Sequence, residues 1–149
     1  MKKAIVIYDT IYGNTEKVAK ELASGMEEQG VKVDIANVQK VDIKKLEEYD
    51  LLAFGGPTHK LGISDSMKDF LEKLKNVEVK GKKAFAFDTR VRIRVAGSAA
   101  KKIEKELKKL RMSIVKSYSS AIVLGREGPL EEGTEERFRK IAGEIAKLI

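Results

Sequence analysis

The sequence predicts an α/β fold in which a parallel sheet carries helices on both faces. Three observations carry this reading. Short continuous apolar runs read as strands covered on both sides. Between them lie stripes of apolar residues at helical spacing. The two patterns alternate along the whole chain, with no internal repeat, linker or low-complexity segment. Strands that alternate with helices are joined by crossovers, and crossovers make neighbouring strands parallel.

The elements follow in order. Ala4-Ile5-Val6-Ile7-Tyr8 predicts the first strand, which Asp9 ends. Val18, Ala19, Leu22, Ala23 and Met26 predict a helix, with Gly30 as its stop. Val31 to Val38 predicts a second strand, more polar and so nearer a sheet edge, and Ile43 to Glu48 a short helix. Leu51-Leu52-Ala53-Phe54 is a third buried strand, ended by the breaker Gly55-Gly56-Pro57. Met67, Phe70, Leu71 and Leu74 line a helix opened by Ser64 or Asp65. Lys83 to Phe87 predicts the fourth strand. Ala99, Ala100, Ile103, Leu107 and Leu110 give the next helix, just after Gly97-Ser98. Ser113 to Lys116 is a short fifth strand, and Ala121 to Leu124 continues it or forms an edge extension. Phe138, Ile141, Ala142 and Ile145 give the last helix, capped by Thr134. Residues 1–149 read as one domain.

Composition narrows the chemistry. Apolar residues make up 42% of the chain and charged residues 36%, the balance of a folded soluble protein. No apolar run approaches the roughly 18–20 residues that span a bilayer. Lys2, Lys3 and the apolar run after them resemble the start of a signal peptide, but no small-residue cleavage site follows, so a cytoplasmic protein is expected. The absence of cysteine excludes disulfides, thiolate metal sites, iron–sulfur ligation and cysteine nucleophiles. His59 is the only histidine, which excludes a multi-histidine metal site. Redox chemistry would therefore need a bound organic cofactor. The net charge is +7, and its basic residues spread along helices rather than massing in a tail, which argues against a nucleic-acid partner. Few amides beside many Lys and Glu point to a thermophilic source.

In such a sheet, ligands sit beyond the carboxyl ends of the strands, where the strand order reverses. The loop Thr10-Ile11-Tyr12-Gly13-Asn14-Thr15 falls there, between a buried strand and a helix. It offers backbone N–H groups, hydroxyls and the positive end of a helix dipole to one anion. Its bland reading is an ordinary turn with an Asn helix cap.

This loop resembles the phosphate loop of flavodoxins, whose usual form is Ser/Thr-x-Thr-Gly-Asn-Thr, although Tyr12 stands where a Thr is usual. The stretch Tyr8 to Lys17 is closer still to the flavodoxin domains of flavodiiron proteins. Gly55-Gly56-Pro57-Thr58-His59 is similar to the second flavin loop of that superfamily. Phe87-Asp88-Thr89-Arg90, Gly97-Ser98-Ala99-Ala100 and Glu127-Gly128-Pro129-Leu130 look like a prokaryotic subgroup of the family. The resemblance implies a flavodoxin-like three-layer sandwich of the short-chain type, with five parallel strands in the order 2-1-3-4-5. It implies flavin mononucleotide (FMN) as cofactor. Thr10, Thr15 and the amides of Ile11, Tyr12, Gly13, Asn14 and Thr15 would bind its phosphate. Pro57, Thr58, His59, Lys60, Leu61 and Gly62 would meet the ring, with a backbone group near Leu61-Gly62 facing flavin N5. Asp88, Thr89 and Arg90 would approach the pyrimidine side.

Neither Pro57–Gly62 nor Asp88–Gly97 contains Phe, Tyr or Trp, which leaves His59 and Leu61 to cover the ring. Arg90, Arg92 and Arg94 alternate, so an extended segment would project them to one side. That side is either a solvated edge or a positive rim that docks an acidic partner such as a ferredoxin-like protein. Lys101, Lys102, Lys105, Lys108 and Lys109 read as a solvated helix face. The resemblance thus implies an FMN electron carrier that works with a redox protein partner. Two alternatives stand beside it: an FMN-dependent NAD(P)H/quinone-type reductase, and a flavin-free module of the same fold that binds an acidic partner.

Overall fold

A computed structural model describes residues 1–92 and 97–149. Its sheet is built around the two most apolar runs. Strands β1 (Lys3–Tyr8) and β3 (Leu51–Pro57) lie side by side and are almost wholly buried. β2 (Lys32–Asn37), whose residues are half or fully exposed, pairs with β1 at the edge that its polarity predicts. β4 (Lys83–Val91) pairs with β3, and β5 (Ser113–Ile114) follows, so the order is β2-β1-β3-β4-β5. These pairings are parallel, as the alternation with helices requires.

Strand residues alternate between two cores. Ile7, Leu52, Phe54 and Ala86 face α2 (Asp65–Lys73), α3 (Ala99–Lys109) and the short 3-10 turn Ile43–Glu48. Val6, Leu51, Phe85 and Phe87 face α1 (Asn14–Glu27) and α4 (Thr134–Ala146). A period of two sends each strand's side chains to both helical layers, which is why the runs contain no polar interruption.

Four boundaries differ from the sequence reading. The run Gly55-Gly56-Pro57 does not break β3; it forms its last three residues. Gly55 lies opposite Phe87, and a Cβ at Gly55 would fall 2.1 Å from the Phe87 ring, so the missing side chain makes room for a core aromatic. β4 runs on to Val91 because a further strand, β6 (Ser119–Val123), pairs with its second half. β5 and β6 are one strand position broken in two. Residues 115–118 span only Phe85 and Ala86 of β4, and Tyr118 donates its N–H to the buried Glu104 of α3 at 2.9 Å. α4 begins after Gly133, with Thr134 as its first residue, whereas Ser64 and Ser98 cap α2 and α3 through Met67 and Lys101 N–H groups. Among the described residues, no helix is long and apolar enough to cross a membrane.

Replacing Gly55 by Ala is expected to cost about 2–3 kcal/mol of stability through overpacking. Adding Phe87→Leu should recover part of that loss rather than add to it, because the two sites share one volume. Urea denaturation of the two single variants and the double variant checks this.

Candidate cofactor site

β1, β3, β4 and β6 end at one cleft of about 520 Å³. It is lined by Thr10, Ile11, Tyr12, Asn14 and Thr15 of the first loop, by Pro57 to Leu61, by Thr89 to Val91, and by Val123 and Arg126. Thus the three segments singled out from sequence meet in space. Three of the residues expected there do not line the cleft: Gly13, Gly62 and Asp88.

The first loop is pinned from below and open above. Asp9, buried at the end of β1, accepts the Thr10 N–H at 2.9 Å and the Ser64 hydroxyl at 2.5 Å. Thr10 Oγ1 in turn accepts the Gly13 N–H at 2.8 Å. Tyr8 OH donates to Glu16 at 2.5 Å, which ties the end of β1 to the first turn of α1 across the loop. That hydrogen bond, with burial and the Glu16 charge, pushes the Tyr8 hydroxyl up to about 12. Asn14 is no helix cap; its Nδ2 donates to the Glu127 carbonyl at 3.1 Å and docks the loop after β6 against the cleft. Gly13 precedes α1 and offers no side chain to cap it. The N–H groups of Ile11, Tyr12, Asn14 and Thr15 consequently take no acceptor among the described residues. Thr15 is 1% exposed, and its hydroxyl lies 2.9 Å from that of Thr89.

The second loop is a two-residue hairpin. His59 and Gly62 exchange both backbone hydrogen bonds, at 2.8 and 2.9 Å, and the residues between them, Lys60 and Leu61, have φ of 47° and 70°. Two central residues at positive φ make the turn that hairpin twist favours, but without glycine each costs about 1–2 kcal/mol. Lys102 Nζ holds the Leu61 carbonyl at 3.0 Å, and Gly97 leaves that carbonyl room where a Cβ would stand 2.5 Å from it. The Leu61–Gly62 peptide is therefore engaged on both sides. The open peptide is Lys60–Leu61, whose carbonyl and N–H take no partner among the described residues.

On β4, Asp88 turns away from the cleft. Its fully buried carboxylate accepts the Ser98 hydroxyl at 2.7 Å, the Ala100 N–H at 3.0 Å and the Thr58 hydroxyl at 3.1 Å. With those donors on Oδ2, and Oδ1 left without a partner among the described residues, the Asp88 side chain anchors the loops behind the cleft rather than lining it. Thr89 and Arg90 do line the cleft. Arg90 Nη1 donates to the Gly97 carbonyl at 2.8 Å, while its buried Nε finds no acceptor among the described residues. Arg92 pairs instead with Glu131, so Arg90 and Arg92 do not form one rim; Arg94 lies outside the described residues.

Sequence reasoning missed Val91, Val123 and Arg126. The first two are placed by the pairing of β4 with β6, which no local pattern announces. It also undervalued Tyr12, read only as a missing threonine. The ring lines the cleft at 44% exposure, beside Ile11 at 54% and Leu61 at 57%. An aromatic face is present after all, supplied by the first loop.

A switch-point cleft with unengaged amides at a helix start, an apolar mouth and an orphaned guanidinium nitrogen defines a doubly wound, nucleotide-cofactor-binding protein. The comparisons with known proteins narrow the class. The family model for flavodoxin matches residues 6–141. A flavodoxin of Clostridium saccharobutylicum is 30% identical over 99% of this chain and 97% of its own length. One from Maridesulfovibrio salexigens is 31% identical over 58% of this chain and 62% of its own. Among solved structures, oxidised flavodoxin 1 from Bacillus cereus superposes with a TM-score of 0.87 at 21% identity, covering 99% of both chains. Rubredoxin:oxygen oxidoreductase from Desulfovibrio gigas gives 0.86 at 20% identity, covering 99% of this chain and 36% of that one. The chain belongs to the flavodoxin family, whose members bind FMN and transfer electrons.

Two outcomes are expected from this geometry. Leu61→Gly should leave stability unchanged or raise it by up to about 1 kcal/mol, because relief of positive φ offsets the entropy that glycine adds to the unfolded chain. Chemical denaturation of the cofactor-free protein measures it. The raised Tyr8 value means that the folded state keeps this proton while the unfolded chain, near 10, has lost it. Its stabilisation is therefore complete below about pH 10 and lost as the pH climbs to about 12. Unfolding free energies of Tyr8→Phe should fall less steeply than those of the parent across that window.

Proposed function

We propose that this chain carries electrons on an FMN held in the cleft by its three loops. The single observation that carries the assignment is the set of N–H groups of Ile11, Tyr12, Asn14 and Thr15, which take no acceptor among the described residues. A phosphate supplies acceptors for all of them, and the positive end of α1 favours its charge. The isoalloxazine, when bound, takes up electrons and gives them back. Every other part of the work falls to the chain.

Thr10 and Thr15 add hydroxyls at the two ends of the phosphate loop, and Gly13 supplies an amide and the turn between them. Tyr12, His59 and Leu61 cover the apolar ring and keep water from it. The open Lys60–Leu61 peptide, with Pro57, Thr58 and Gly62 shaping its turn, offers one donor and one acceptor to the ring edge. Thr89 and Arg90 would meet the pyrimidine side, where the Arg90 guanidinium would supply positive charge and hydrogen-bond donors. Asp88 acts behind them by fixing Thr58 and the start of α3. A flavin-free role would leave the buried Arg90 Nε without an acceptor among the described residues, at about 1–3 kcal/mol for a buried polar group.

The redox partner is proposed to be an acidic protein, since the chain carries +7 and Lys60, Arg90 and Arg126 line the cleft. We place the protein in the cytoplasm on its composition.

Thr15→Ala removes one hydroxyl from the phosphate loop and should weaken FMN binding about tenfold or more, at roughly 1.5–3 kcal/mol for a bond to a charged group. Riboflavin, which lacks the phosphate, should bind parent and variant alike. Fluorescence titration with both ligands decides: equal loss for both places the phosphate elsewhere.

A further inference from the structure

Three lysines of α2 and α3, Lys68, Lys102 and Lys105, gather beside the mouth of the cleft, while Lys101, Lys108 and Lys109 form the solvated helix face. A second hollow, of about 460 Å³, shares His59 and Lys60 with the cleft and is lined by Lys68 of α2 and by Lys102 and Lys105 of α3. Two carboxylates oppose these ammonium groups, Asp65 and Glu106. Glu106 is already bonded to Lys109 at 3.2 Å. Lys60, Lys68 and Lys105 reach no carboxylate among the described residues. Lys102 keeps its charge beside the turn by donating to the Leu61 carbonyl. Across the cleft, Arg92 is neutralised by Glu131. Arg90 and Arg126 also line the cleft, but among the described residues Lys60, Lys68 and Lys105, none of them paired with a carboxylate, all face the α2–α3 hollow.

We propose that this α2–α3 side of the cleft is the docking surface for an acidic electron-transfer protein. The role of the surface rests on the FMN reading; its binding does not. Like charges held around a hollow focus a positive field and repel one another, and an anionic partner relieves that repulsion. Exposed Leu61 at the adjoining turn gives the contact an apolar centre, with the lysines as its rim. Rim charges of this kind set encounter rate and salt dependence.

The test uses a fluorescently labelled acidic [2Fe–2S] ferredoxin as probe, titrated with the protein in flavin-free and FMN-loaded forms and followed by anisotropy. Binding by the native protein should weaken steeply as ionic strength rises from about 0.02 to 0.3 M. Lys68→Glu with Lys105→Glu should weaken it at least tenfold at low salt and leave FMN affinity, measured separately, unchanged. A control with the same charge change on and just after α4, Lys140→Glu with Lys147→Glu, should shift it less than about twofold. Equal weakening by both pairs means that net charge alone acts, and overturns the proposal. So does a native protein that ignores the ferredoxin, or one that binds a short DNA duplex more tightly with the same sensitivity to the α2–α3 pair. Failure to take up FMN would instead sink the cofactor reading and leave the docking result standing.

Discussion

The carboxylate of Asp88 is the interaction on which the site depends. It is fully buried and bonded to Thr58 from the second loop and to Ser98 and Ala100 at the start of α3. Thr58 then takes the Ala99 N–H at 2.9 Å, which closes a small polar ring between β3, β4 and α3. A buried carboxylate is tolerable only when donors surround it. Here all three donors converge on Oδ2 from separate segments and so tie two walls of the cleft together, while Oδ1 takes no partner among the described residues. Asp9 does similar work for the third wall, joining β1 to the start of α2 through Ser64. The site is thus rigid where its walls begin and open only at the rims.

That division explains what could be read in advance. Strands and helices announce themselves through period, and both periods were plain in runs such as Ala4 to Tyr8 and Val18 to Met26. The phosphate loop was legible because its chemistry is contiguous in sequence. Gly55 was misread as a breaker because its role depends on Phe87, a residue 32 positions away that it meets only across the sheet. Asp88, next to Thr89 in sequence, faces the opposite layer, as a period of two requires, and meets Ser98 and Ala100 there.

The cationic face was the least legible feature. Along the chain, Lys102 and Lys105 belong to an ordinary amphipathic helix, and Lys60 and Lys68 belong to other segments. Only the packing of α2 beside α3 collects them. Of the alternating arginines, conspicuous in sequence, Arg90 bonds to the Gly97 carbonyl and Arg92 to Glu131. Charge counted along a chain predicts net electrostatics well and its location poorly.

The break between β5 and β6 has a consequence for how the fold can be altered. The two pieces are registered on β4 independently, and the bulge between them has its Tyr118 amide satisfied by Glu104 rather than by the sheet. Residues 115–118 can therefore lengthen without shifting either register, and each doubling of the connection adds only about 0.6 kcal/mol of closure entropy. Ser117 is exposed and none of the four lines the cleft, so the position is a natural port for a grafted peptide or a dye-bearing cysteine. In a chain that has no cysteine of its own, such a label would be chemically unique.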